Sequence, residues 1–157
     1  MQRGDGFFGP LVIKSAQDPS ASEYDYDLND HIMVLNDWFD TPVSQKFTYY
    51  VHSDTTGSMP TSILINGKGF SKNANFTAPK AVFHVKAGKR YRFRVIDASV
   101  GYCPLQISIE NHDLTVIATD GNAVEPTKVK SIVLNAGNLK TNISKQRIHF
   151  FQKKFDS

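Results

Sequence analysis

Along the middle of the chain, apolar and polar residues alternate with the period of a β-strand. In Arg90-Tyr91-Arg92-Phe93-Arg94-Val95 this alternation sends Tyr91, Phe93 and Val95 into a core and the three arginines into water. The same rule buries Leu105, Ile107 and Ile109 within residues 105–110. Within residues 81–86 it buries Ala81, Phe83 and Val85 and leaves His84 outside. Residues 31–38, 62–66, 114–119 and 129–135 are further strand candidates, the first of them a buried one. Turn signals lie between them, among them Asn66-Gly67, Ala87-Gly88 and Asp120-Gly121-Asn122. Short strands at such intervals predict an all-β sandwich or barrel.

The flanks follow other patterns. Residues 7–13 predict a short apolar strand with a Gly9-Pro10 turn. Residues 15–30 have the composition of a linker, with Asp18-Pro19-Ser20 and Tyr24-Asp25-Tyr26-Asp27, and residues 40–60 read as loop. No helix is predicted before residue 138; beyond it, Ile148, Phe151 and Phe155 make only a weak helical stripe. The expected division is the end of a preceding domain (1–14), a linker (15–30), one domain (31–137) and a divergent basic tail (138–157).

Composition narrows the function classes. A chain of 157 residues can bury the core of one domain. No apolar run approaches the roughly 20 residues of a membrane span. The first residues, Met1-Gln2-Arg3-Gly4-Asp5, do not form a secretory signal; if the parent protein is secreted, its targeting segment is expected to lie outside this chain. The net charge of +3 comes from the tail, where Lys140, Lys145, Arg147, Lys153 and Lys154 stand against Asp156 alone. The body therefore lacks the basic stripe of a nucleic-acid binder. The single cysteine, Cys103, can form no internal disulfide. Asn75-Phe76-Thr77 and Asn142-Ile143-Ser144 are glycosylation sequons, relevant only to a secreted chain.

Several segments, in order, resemble laccase-type multicopper oxidases. Gln2-Arg3-Gly4-Asp5-Gly6-Phe7-Phe8-Gly9-Pro10-Leu11-Val12-Ile13 resembles the end of the first cupredoxin domain of animal laccases. Residues 31–40, with Asn36-Asp37-Trp38, look like the first strand of the second domain. Ile63-Leu64-Ile65-Asn66-Gly67-Lys68-Gly69 and Gly88-Lys89-Arg90-Tyr91-Arg92-Phe93-Arg94 are similar to two of its motifs. Residues 109–121 and Val133-Leu134-Asn135-Ala136-Gly137 continue the match. Cys103-Pro104 and Asn111-His112 look closer to the arthropod members than to the fungal ones. The resemblance implies a cupredoxin-like Greek-key β-sandwich or barrel, here expected to be incomplete at its C-terminus. It implies a secreted, copper-dependent oxidoreductase that oxidises a phenolic small molecule and reduces dioxygen to water. The partners it implies are the missing first and third cupredoxin domains, which carry the copper ligands.

There are two departures from the family pattern. The family's copper-binding His-x-His segment precedes the Gln-Arg pair, and Met1 stands there instead. After Ala136-Gly137 the family continues with a Glu/Gln-Arg-Tyr/Phe-Asp strand, whereas this chain has Asn138-Leu139-Lys140. The chain is therefore read as a fragment whose tail is foreign to the fold.

The candidate chemistry is sparse. A type 1 copper needs two His and one Cys in a trigonal set. His84, Cys103 and His112 occur in that order, but Cys103 and His112 are too far apart for a ligand loop, and Met1, Met33 and Met59 all lie upstream. None of the five histidines is paired as His-x-His, so no copper is expected to be bound by this chain. His112, between Asn111 and Asp113, is expected to hydrogen-bond its own turn. Cys103 has no predicted helix N-terminus or adjacent base to activate it as a nucleophile. No catalytic residue is assigned. By resemblance, residues 99–106 border the phenol, which makes Gly101, Cys103 and Gln106 substrate-adjacent. Gln106 stands where family members commonly place a proton-accepting carboxylate, and a neutral amide cannot take that proton. Asp97, the nearest acid, reads as a solvated strand-end residue. Two rival readings are a copper-free cupredoxin module acting through contacts, and an immunoglobulin-like adhesion domain. The latter is weakened by the lack of a Cys-Trp-Cys pattern.

Overall fold

The computed structural model describes residues 2–52, 60–69, 79–101 and 104–144. Its strands are β1 (Ile32–Trp38), β2 (Ser62–Ile65), β3 (Lys68–Gly69), β4 (Tyr91–Asp97), β5 (Leu105–Ser108), β6 (Leu114–Thr119), β7 (Asn122–Val129), β8 (Ser131–Leu134) and β9 (Leu139–Ser144). One helix of more than a single turn, α1 (Val43–His52), accompanies them among the described residues. Seven strands form an open sheet in the order β3-β2-β1-β4-β9-β6-β7, and β5 pairs with β8 in a second sheet. Among the described residues the strands close no barrel. The β1–β4 pairing is parallel; the other ladders are antiparallel.

Local sequence explains the hairpins. Asn66-Gly67 joins β2 to β3 and Asp120-Gly121 joins β6 to β7, and all four residues have positive φ. That conformation matches the strand twist and suits Asn, Asp and Gly. Asn66 also staples its hairpin to β1, accepting from Val34 N at 2.7 Å and donating to Ile32 O at 2.9 Å.

The alternation read from the sequence gives the core. Tyr91, Phe93 and Val95 pack with Met33, Leu35, Phe83, Leu105, Ile109, Leu114, Ile132 and Leu134. The arginine face of β4, however, does not lie open to water. Residues 18–27 cross it as a strap, with Asp18 on Arg92, Asp27 on Arg94 and Asp25 on Arg90. The backbone joins in: Tyr26 N donates to Arg90 O at 3.1 Å and Arg92 N to Tyr26 O at 2.9 Å. Tyr26 stacks on Tyr91. The expected linker is thus fastened to the domain.

Other expectations need correction. Residues 7–13 form no strand, and Phe7, Leu11 and Ile13 are 82%, 84% and 84% exposed. Residues 43–52, read as loop, are α1; the N-terminal Val43 N–H is capped by Asp5 Oδ1 at 2.7 Å, a partner 38 positions away. Residues 81–86 form no strand, although Phe83 is buried and His84 exposed as expected. Residues 122–128, unassigned from the pattern, belong with Val129 to an edge strand, Asn122–Val129, whose position accommodates Pro126.

The largest correction concerns the tail. Leu139–Ser144 is no foreign extension but the strand between β4 and β6. The turn before it explains how an atypical sequence enters the sheet. Gly137 adopts φ 90° and donates to Asp97 O at 2.8 Å, Asn138 N donates to Asn135 O at 2.9 Å, and Asn138 Oδ1 accepts from Asn135 N at 2.9 Å. The backbone of β9 then pairs on both sides, which needs no particular side-chain motif. The weak stripe at Ile148, Phe151 and Phe155 lies outside the described residues.

Candidate functional site

Parallel pairing of β1 with β4 places Leu35 opposite Asp97. Asp37, two residues beyond Leu35, projects from the same face of β1, so two carboxylates meet at one end of the paired strands. Both are buried, Asp37 at 4% exposure and Asp97 at 1%. The segment leaving β4 is tied down amide by amide. Ala98 N donates to Leu35 O at 2.8 Å and Ser99 N to Asp97 Oδ1 at 2.9 Å. Val100 N donates to Asp37 Oδ1 at 3.0 Å, and Gly101 N to Asp37 Oδ2 at 2.5 Å. A Cβ on Gly101 would stand 2.7 Å from Asp37 Oδ2, so the close approach depends on glycine.

Burial raises the Asp97 carboxyl above the ordinary carboxylate range, and the charge of Asp37 pushes the same way; hydrogen bonding from Ser99 and the charge of Arg3 oppose them. Asp97 Oδ2 and Ser99 Oγ are buried with no hydrogen-bond partner among the described residues. The N-terminal turn closes this end of the sheet. A side chain on Gly4 would meet Val43 Cγ2 at 2.7 Å and Val100 Cγ2 at 3.2 Å.

The residues singled out from sequence separate here. Gly101 belongs to the tied loop. Cys103 lies outside the described residues. Gln106 is on β5, in the smaller sheet, and donates from Nε2 to Ser131 Oγ at 2.8 Å. Asp97 is not solvated but sealed in. Asp37 was not singled out as a site residue; its signal was an acid beside Asn36 near the end of a buried strand.

The described histidines do not converge. His31 is buried, its Nε2 lies 3.1 Å from His84 O, and its ring packs edge-on against Tyr91 and Phe93. His112 Nδ1 lies 2.5 Å from Glu110 O, within its own turn. No group of three or more His, Cys, Asp or Glu among the described residues could hold a metal ion. These residues do not fit a copper-ligand set.

The family model for multicopper oxidases matches residues 29–142. The chain belongs to the multicopper oxidase family. Laccase-4 of Thanatephorus cucumeris is 43% identical over 137 residues, covering 85% of this chain and 25% of that protein. Laccase-2 of Trametes versicolor is 39% identical over 133 residues, covering 84% and 24%. Among solved structures, the laccase from Botrytis aclada superposes with a TM-score of 0.73 at 26% identity, over 93% of this chain and 27% of that one. Fet3p, a multicopper oxidase that functions in iron import, shares the fold with a TM-score of 0.65 at 20% identity, over 83% of this chain and 23% of that one. This multicopper oxidase chain spans about a quarter of the curated relatives it matches.

Proposed function

We propose that this chain is the second-domain portion of a secreted laccase-type multicopper oxidase, which oxidises diphenols while reducing dioxygen to water. In that reading the parent's copper is held by residues of its first and third cupredoxin domains. The present residues supply scaffold and, through residues 99–106 with Gly101, Cys103 and Gln106, part of the wall against the phenol. The observation that carries it is the 43% identity to a laccase across 85% of the chain. Residues 2–14 are the trailing edge of the preceding domain; the bare apolar side chains of Phe7, Leu11 and Ile13 support that assignment.

Copper content and oxygen uptake with catechol, measured on the 157-residue chain and on the longer gene product containing it, test the reading. The longer protein is expected to hold copper and consume oxygen, and the isolated chain to do neither. A longer product inert toward diphenols would leave a structural module instead; catechol turnover by the isolated chain would overturn the division of labour.

A further inference from the structure

We propose that Asp37 is a positioning residue that sets the shape of the substrate-facing loop, with Gly101 as its required counterpart. The inference rests on the reading that this loop borders the phenol.

Ala98 and Ser99 are held at the loop's start by a β1 carbonyl and by the neighbouring Asp97. Those contacts fix only the exit from β4. The direction of the chain at its next two residues depends on Asp37 alone among the contacts described: Val100 N donates to Oδ1 at 3.0 Å and, more weakly placed, to Oδ2 at 3.2 Å, and Gly101 N donates to Oδ2 at 2.5 Å. Two consecutive amides on two oxygens form a bidentate grip that only a carboxylate of this length provides at this site. An amide offers one acceptor and turns an N–H₂ toward the second donor. A glutamate carries an extra methylene into a buried space. Glycine at 101 is the complementary requirement, since any Cβ would collide with the gripping oxygen. The carboxylate of the grip is buried, which limits the access of water to it. Asp37 stands on the rigid parallel pair β1–β4, so the loop inherits the precision of the sheet.

Amide hydrogen exchange of the 157-residue chain and catechol kinetics of the parent oxidase test this together. In the native chain the Val100 and Gly101 amides are expected to be protected; free exchange there would overturn the proposal without any variant. In Asp37→Asn both amides should exchange on the order of tenfold faster or more, the effect of losing a hydrogen bond to a charged acceptor, while Val95, paired on both sides in the core, stays protected. Gly101→Ala, which keeps the carboxylate, should give the same local loosening if Asp37→Asn does not fold. In the parent enzyme either change should raise KM for catechol with kcat nearly unchanged, the pattern of lost substrate positioning. Unchanged exchange in folded variants overturns Asp37's role. Faster exchange with unchanged KM upholds the grip and overturns the assignment of the loop to the phenol wall.

Discussion

Asp97 is the residue whose environment most contradicts its chemistry. A carboxylate at 1% exposure beside a second acid is held in its charged form at a cost, and the raised pKa expresses that cost. Because the folded value lies above the unfolded value of about 3.9, the penalty is present at neutral pH and disappears as pH falls through the folded value. Asp97→Asn is therefore expected to raise the urea midpoint at pH 7 and to lose that advantage below about pH 4. Ser99 N can still donate to the amide oxygen, so the loop contact survives the change. Leu134 shows the opposite case, an apolar side chain at 0% exposure. Leu134→Ala should lower the unfolding free energy by about 2–5 kcal/mol in urea denaturation, from lost transfer energy and the cavity left behind.

Among the elements, the strap is the most sensitive to conditions. Burial alone would raise Asp18 and Asp27. Tyr24, the Ser20 amide and Arg92 outweigh it at Asp18, and Arg94 with Arg92 outweighs it at Asp27, so both sit below the ordinary range. Their contribution is present above about pH 3.9 and is lost as pH falls through the lower folded values. Arg94→Ala removes the guanidinium that takes both oxygens of Asp27 and should cost about 1.5–3 kcal/mol. The same change should open residues 15–30 to limited proteolysis at neutral pH.

The strap also shows what the sequence could and could not reveal. Period-two alternation identified the buried face of β4 because that signal is local. It could not show that acids some 70 positions earlier would cover the other face, nor that Asp5 would cap α1. Nothing near Val43 in the sequence carries that cap. Asp37 stayed hidden for the same reason: its partners, Val100 and Gly101, lie more than 60 residues away.

At the scale of the whole molecule, the family resemblance located the domain, but a missing motif suggested that it ended at Gly137. Backbone pairing does not require the motif, and β9 fills the middle of the sheet without it. A chain stopped after Gly137 should lose cooperative unfolding by circular dichroism, because the facing ladders of β4 and β6 are then unpaired. The exposed strip of Phe7, Leu11 and Ile13 should drive self-association of the full chain, and changing all three to serine should shift its sedimentation toward monomer. The place of β9 also governs how the protein is made. A nascent polypeptide that has emerged only as far as Gly137 holds two separate parts of the sheet, each with an open seam, and cannot join them until residues 139–144 follow. Such long-range closure is slow and leaves sticky edges exposed. Yield in cells should therefore depend on chaperone supply during that interval more than on the stability of the finished fold.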